Sequence, residues 1–145
     1  MIEYSELSSY FETYKYYDET SGRYSAIFSN IEELIDTDQI KIFYPKNLKV
    51  VDKDLEVFLI LDGKILYGKS LENNDVEIKV YFLKDINDIT YKCSWYGEDS
   101  FHKISLKFNS DVILEFDSMN DATSYSRRIE LEMVIKEIIR MLMGL

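Results

Sequence analysis

The sequence predicts an α+β fold made of two N-terminal helices, about seven antiparallel strands in a meander, and one long C-terminal helix. Three observations carry this reading. Apolar residues recur with helical spacing before residue 37 and after residue 117. Between those limits the spacing changes to every second residue. Turn-forming clusters such as Asp62-Gly63, Glu72-Asn73-Asn74-Asp75 and Asn109-Ser110 separate the alternating runs at short intervals, as hairpin-connected strands require. The chain is read as one domain over 1–145, with a helical extension at 1–37, an antiparallel sheet at 38–117 and a terminal helix at 118–144.

In the first helix Leu7, Tyr10, Phe11, Tyr14 and Tyr17 or Asp18 follow the i, i+3, i+4, i+7 spacing, giving an unusually aromatic stripe. Thr20-Ser21-Gly22 is expected to break it. A second helix is predicted from about Ser25 to Asp36, with Ile27, Phe28, Ile31, Leu34 and Ile35 on one face. Ile40, Ile42 and Tyr44 then alternate in a strand that Pro45 should end. Leu55–Leu61 and Lys64–Ser70 flank Asp62-Gly63, two residues that tolerate the positive φ of a type I′ turn. Val76 to Phe82, Ile89 to Trp95 and Ile104 to Phe108 alternate in the same way, and Val112, Leu114 and Phe116 mark one more strand. Ser118 is the expected N-cap of the last helix, with Asp121 in its first turn. Leu131, Val134, Ile135, Ile138, Ile139 and Leu142 share one face of it, and Gly144 stops it.

The composition suits a packed core. Of 145 residues, 46% are hydrophobic and 30% charged, with one proline, five glycines and no low-complexity tract. The net charge of −10 repels phosphates and anionic headgroups, so neither nucleic acid nor a membrane is an expected partner. The longest central apolar run, Val57–Leu61, is far too short to span a bilayer. Met1–Glu6 carries acids where a signal peptide carries basic residues, and Cys93 is a single thiol that cannot staple the fold. A cytoplasmic location is expected.

Seven meander strands can curl into a partly open barrel with a helix plugging its open end. That element order, over Gln39–Leu145, resembles the pleckstrin-homology-like superfold, to which the two leading helices would be an addition. In lipid-binding members of that superfold, basic residues on an early hairpin hold a phosphoinositide headgroup. The resemblance therefore makes Lys41, Lys46, Lys49 and Lys53 candidate anion contacts. Asp52 and Asp54 interrupt them and no arginine joins them, so a solvated face is the competing reading. The wealth of Ile, Lys, Asn and Tyr resembles small uncharacterised proteins of low-GC Gram-positive bacteria and their phages.

Catalytic chemistry is sparsely represented. His102 is the single histidine, which removes every site needing two imidazoles. Pairing Tyr96 with Phe101 would set Trp95 opposite His102 and Cys93 opposite Ile104. Cys93 and His102 would then be diagonal neighbours, with Cα atoms about 7–8 Å apart and out of hydrogen-bond reach. Cys93 is read as a buried core residue. Asp52, Asp54 and Glu56 share one side of a strand, but the stretch lacks the glycine of a calcium loop and reads as solvated acids. No P-loop, GxGxxG or GxSxG occurs. No metal, cofactor or catalytic residue is expected.

Surplus apolar surface points instead to partners. The N-terminal tyrosines exceed what one narrow face can bury, and Ala122, Ile129 and Met133 lie opposite the main stripe of the last helix. Either the N-terminal helices cover that second face, or a protein partner or second copy does. The candidate interface residues are Tyr10, Tyr14, Tyr17, Ile129 and Met133. Three functions follow: a non-catalytic protein-interaction or self-association module, a lipid or small-ligand binder, and an enzyme with an unrecognised carboxylate or Cys93 site. The first is preferred.

Overall fold

A computed structural model describes residues 1–97 and 99–144, with Tyr96 by its backbone alone. Among these residues the order is α1 (Tyr4–Tyr14), α2 (Glu19–Leu34), β1 (Ile42–Lys46), β2 (Glu56–Leu61), β3 (Lys64–Ser70), β4 (Val76–Phe82), β5 (Ile86–Tyr96), β6 (Asp99–Phe108), β7 (Ile113–Asp117) and α3 (Tyr125–Leu142). This is the predicted α+β class. The seven antiparallel strands form two sheets, a four-stranded β1-β2-β3-β4 and a three-stranded β5-β6-β7, that do not close into a barrel. No helix among the described residues is long and apolar enough to cross a membrane.

The first sheet is buried on both faces. Phe58 and Ile60 of β2 point to the core shared with the second sheet and α3, while Val57, Leu59 and Leu61 point to the core beneath α1 and α2. An unbroken apolar run is what such a strand needs. Gly68 of β3 marks where α2 comes down on the sheet. A Cβ there would lie 2.9 Å from Ile27 Cγ2, 3.1 Å from Val57 Cγ2 and 3.3 Å from Ile31 Cδ1. Pro45 does not end β1, because β1 is an edge strand, where a missing N–H needs no ladder partner.

Two helix boundaries differ from expectation, each because another side chain caps first. Thr20-Ser21-Gly22 does not break the helix but forms the first turn of α2. The Asp18 carboxylate accepts from Ser21 N at 2.7 Å and from Ser21 Oγ at 2.9 Å. Gly22 fits because a Cβ there would meet the Lys15 carbonyl oxygen at 3.0 Å. Ser118 does not cap α3; its Oγ accepts from the His102 N–H at 2.9 Å, and Ser124 caps the helix instead. Ala122 thereby falls outside α3, buried ahead of it.

The expectation that α1 and α2 cover the second face of α3 fails. The first sheet stands between them, so the helices pack on its far side while α3 packs on β6, β1 and β7. Ile129 and Met133 are left 39% and 50% exposed. The amine of Met1 reaches Glu130 at 3.8 Å.

Candidate functional site

Tyr10, Tyr14 and Tyr17 form one surface group. Tyr4, Leu7 and Phe11 turn inward from α1, which leaves Tyr10 and Tyr14 on its flank. Their rings lie 4.8 Å apart, Tyr14 and Tyr17 lie 6.0 Å apart, and the Lys49 ammonium sits 5.8 Å from the Tyr10 ring. Such a stack is a platform for an apolar or cationic group. Ile129 and Met133 lie on a different element, α3.

The four candidate lysines do not converge. Lys41 pairs with Asp62 at 3.4 Å, at the β2–β3 turn. Lys46 pairs with Asp121 at 3.6 Å and donates to the Glu115 carbonyl at 2.7 Å. Lys53 reaches the Asn120 carbonyl at 3.5 Å, and Lys49 lies over Tyr10. The acids of the same stretch also part company. Asp54 pairs with Arg23 at 3.1 Å, and Glu56 accepts from the Tyr67 hydroxyl at 2.7 Å. Among the described residues no group of three or more His, Cys, Asp or Glu could hold a metal ion.

Lys46 leads to a buried carboxylate that sequence reasoning had placed in a helical first turn. Asp121 accepts from the Tyr44 hydroxyl at 2.7 Å and from the Asp117 N–H at 2.8 Å. Burial pushes its pKa up, against the opposing pull of Lys46 and these hydrogen bonds. The Asp117 carboxylate accepts from Met119 N and Asn120 N and bends the chain so that Asp121 turns inward. Burial also raises the Tyr44 phenol well above its ordinary value, with the Asp121 charge adding to it, so Tyr44 is a neutral donor.

The richest polar cluster surrounds His102, and it corrects two expectations. The hairpin pairs Tyr96 with Asp99, so Cys93 stands directly opposite His102, not diagonal to it, with Sγ 3.9 Å from Nε2. Cys93 is also exposed, because α3 lies over β6 and β7 and leaves β5 uncovered. His102 itself is buried. Its Nε2 lies 2.9 Å from Glu132 Oε1, which also pairs with Lys136 at 3.0 Å, and 3.1 Å from Ser100 Oγ. A carboxylate can only accept, so Nε2 carries a proton. In the neutral ring Nδ1 is then the acceptor, and the Tyr91 hydroxyl, 2.5 Å away, donates to it. Partial desolvation at the foot of this exposed side chain raises the Tyr91 phenol, with Cys93 and Glu132 adding to it and Lys136 opposing, which keeps it a donor. Both ring nitrogens are thus engaged, and the imidazole is poorly placed to take the Cys93 proton. The cluster ties α3 to the second sheet. Glu132 was missed because it lies 30 residues from His102 and no local spacing joins them.

The same corner carries an exposed apolar strip. Every residue from Asn87 to Trp95 is exposed. Ile89, Tyr91, Cys93 and Trp95 point to the side on which α3 packs, yet stay exposed; Trp95 is 70% exposed. At 100° per residue, the flank of α3 that bears Glu132 also bears Tyr125, Ile129 and Lys136. Tyr125, Ile129 and Glu132 of that flank line a pocket with Asp99, Ser100 and Phe101 of β6.

No curated protein and no solved structure matches the chain. A family model described as protein of unknown function (DUF3908) matches residues 3–130, and the chain belongs to that family.

Proposed function

We propose that the chain is a non-catalytic protein-interaction module that binds through β5 and the neighbouring flank of α3. The observation that carries this is the exposed run Asn87–Trp95 in an otherwise well-packed molecule. Ile89, Tyr91 and Trp95 on the strand, with Ile129 and Met133 on the helix, supply the aromatic and aliphatic anchors typical of interface centres. Tyr10, Tyr14 and Tyr17 offer a second contact area. We read the scaffold as pleckstrin-homology-like, on the support of a four-stranded and a three-stranded meander followed by a helix packed on β1, β6 and β7. We read its setting as the bacterial cytoplasm, on the support of the acidic composition and the single free thiol.

The test immobilises the full chain and captures proteins from a lysate of a low-GC Gram-positive bacterium, beside Trp95→Glu, Met133→Glu and Tyr14→Ala. Self-association is followed in parallel by sedimentation. A stoichiometric partner, or a second copy, held by the unaltered chain and released by Trp95→Glu or Met133→Glu supports the reading. Identical behaviour of the unaltered chain and all three variants in both assays refutes it.

A further inference from the structure

We propose that the occupant of the β5 edge is a second copy of this chain, joined antiparallel through β5 with Thr90 on the two-fold axis; this deepens the interaction-module reading and rests on it. β5 is an edge strand of the second sheet, and its run from Asn87 to Trp95 is exposed throughout. Long, uncovered edges of this kind present unsatisfied backbone groups to another strand.

The geometry says which backbone groups are offered. His102 N–H donates to Ser118 Oγ, and the Ser118 N–H donates to the His102 carbonyl at 2.9 Å, so the backbone of His102 faces β7. Its partner across the ladder, Cys93, then turns its N–H and C=O away from β6, towards the open edge. By alternation Ile89, Tyr91 and Trp95 do the same. A two-fold β5–β5 pairing must match these outward residues with one another, which leaves a short set of registers.

Charge chooses among them. On the other face of the strand stand Asp88, Thr90, Lys92 and Ser94. With Thr90 opposite Thr90 of the second copy, Asp88 faces Lys92 twice, and Ile89 faces Tyr91 twice on the apolar side. Shifting by one pair sets Asp88 against Ser94 and Thr90 against Lys92. Shifting by two sets Lys92 against Lys92. Shifting by three sets Lys92 against Ser94 and Cys93 against Cys93. Only the first of these registers pairs opposite charges, and like charges directly opposite are unfavourable. A strand whose own two charges balance is also a locally neutral meeting place on a chain of net charge −10. The product is a continuous six-stranded sheet.

Sedimentation velocity on the full chain tests this, at concentrations up to roughly 0.5 mM so that weak dimers register. The unaltered chain is expected to show a concentration-dependent dimer. Lys92→Glu and Asp88→Lys each place like charges opposite one another twice, and each should move the transition to roughly tenfold higher concentration. Mixing the two variants in equal amounts restores two opposite-charge pairs and should restore the dimer. Thr90→Cys in a Cys93→Ser background should form an intermolecular disulfide under mild oxidation. Facing Cα atoms in such a non-hydrogen-bonded pair lie about 4.5 Å apart, within disulfide range. A monomeric unaltered chain, or a mixture no better than its components, overturns the proposal. If the monomer still captures another protein in a manner that Trp95→Glu abolishes, the dimer falls and the interaction module stands. A monomer that captures nothing removes both.

Discussion

Gly68 should tolerate no side chain, and the cost of adding one can be worked from its neighbours. In an unstrained strand, replacing glycine by alanine stabilises a protein by about 0.4–1 kcal/mol, because the unfolded chain loses freedom. At Gly68 the new methyl would sit 2.9 Å from Ile27 Cγ2 and 3.1 Å from Val57 Cγ2. Carbon atoms gain nothing below about 3.5 Å, so α2 must lift or Ile27 must leave its rotamer. Overpacking of this kind costs about 1–3 kcal/mol. The balance for Gly68→Ala is a loss of about 1–2 kcal/mol, or roughly 3–6 °C in Tm for a chain of this size. Far-UV circular dichroism during urea unfolding is the suitable assay, since the single tryptophan, Trp95, is exposed on the other sheet and reports little on α2. Ile27→Ala removes the nearest methyl and should cost about 2–5 kcal/mol by itself. The double variant should then be less destabilised than the sum by about 1 kcal/mol, since the two sites touch. Additive losses, or a Gly68→Ala chain as stable as the original, would refute the claim that α2 docks on the sheet at this point.

Three further outcomes follow from polar contacts. Tyr44→Phe removes the hydroxyl that donates to buried Asp121 and should cost about 1–3 kcal/mol in chemical denaturation. Asp121 gives a pH dependence of defined sign. Its raised folded value means that the native state holds the proton more tightly than the unfolded chain. Its contribution to stability is therefore greatest in acid and is lost as pH rises from the usual carboxylate range through the raised value. Asp121→Asn has no such term, so its stability relative to the original chain should improve between pH 4 and pH 7, as urea midpoints at the two pH values will show; a relative decline would contradict the assignment. Cys93 should react stoichiometrically with a water-soluble thiol reagent in the folded chain, and protection until denaturant is added would show that the β5 face is covered after all.

Much of this architecture was legible because its signals are local. Val57–Leu61 announces a strand buried on both faces, and Asp62-Gly63 a tight turn with Leu61 opposite Lys64, although only Gly63, at φ 72°, takes a positive φ and the turn is not type I′. Gly144, at φ 77°, ends α3 as expected. What was misread depended on distant partners. Ser118 resembles an N-cap until β6 claims its hydroxyl. Thr20-Ser21-Gly22 resembles a breaker until Asp18 turns it into a helical first turn. The β5–β6 register hinged on the turn after Tyr96. Glu98 lies outside the described residues, but the pairing of Tyr96 with Asp99, in place of Phe101, already moves Cys93 opposite His102. Cys93 follows the burial habit of its residue type only if something covers β5, and α3, with its axis over β6 and β7, does not reach that far. The division of one meander into two sheets leaves no mark in the alternation, because strands on either side of the break keep the same period.

The doubly buried first sheet has a consequence for the order in which a ribosome releases this chain. Every residue of the core beneath α1 and α2 lies within the first 78 positions. That half can condense while β5, β6, β7 and α3 are still being synthesised. During this interval the opposite face of the sheet, with Ile42, Tyr44, Phe58, Ile60, Ile65 and Tyr67, has no cover, since its other wall comes from residues 104–138. The nascent chain thus passes through a stage in which one side is finished and the other is adhesive. Variants that slow the arrival of α3 should lower yield through aggregation during synthesis, even where the completed protein is as stable as the original.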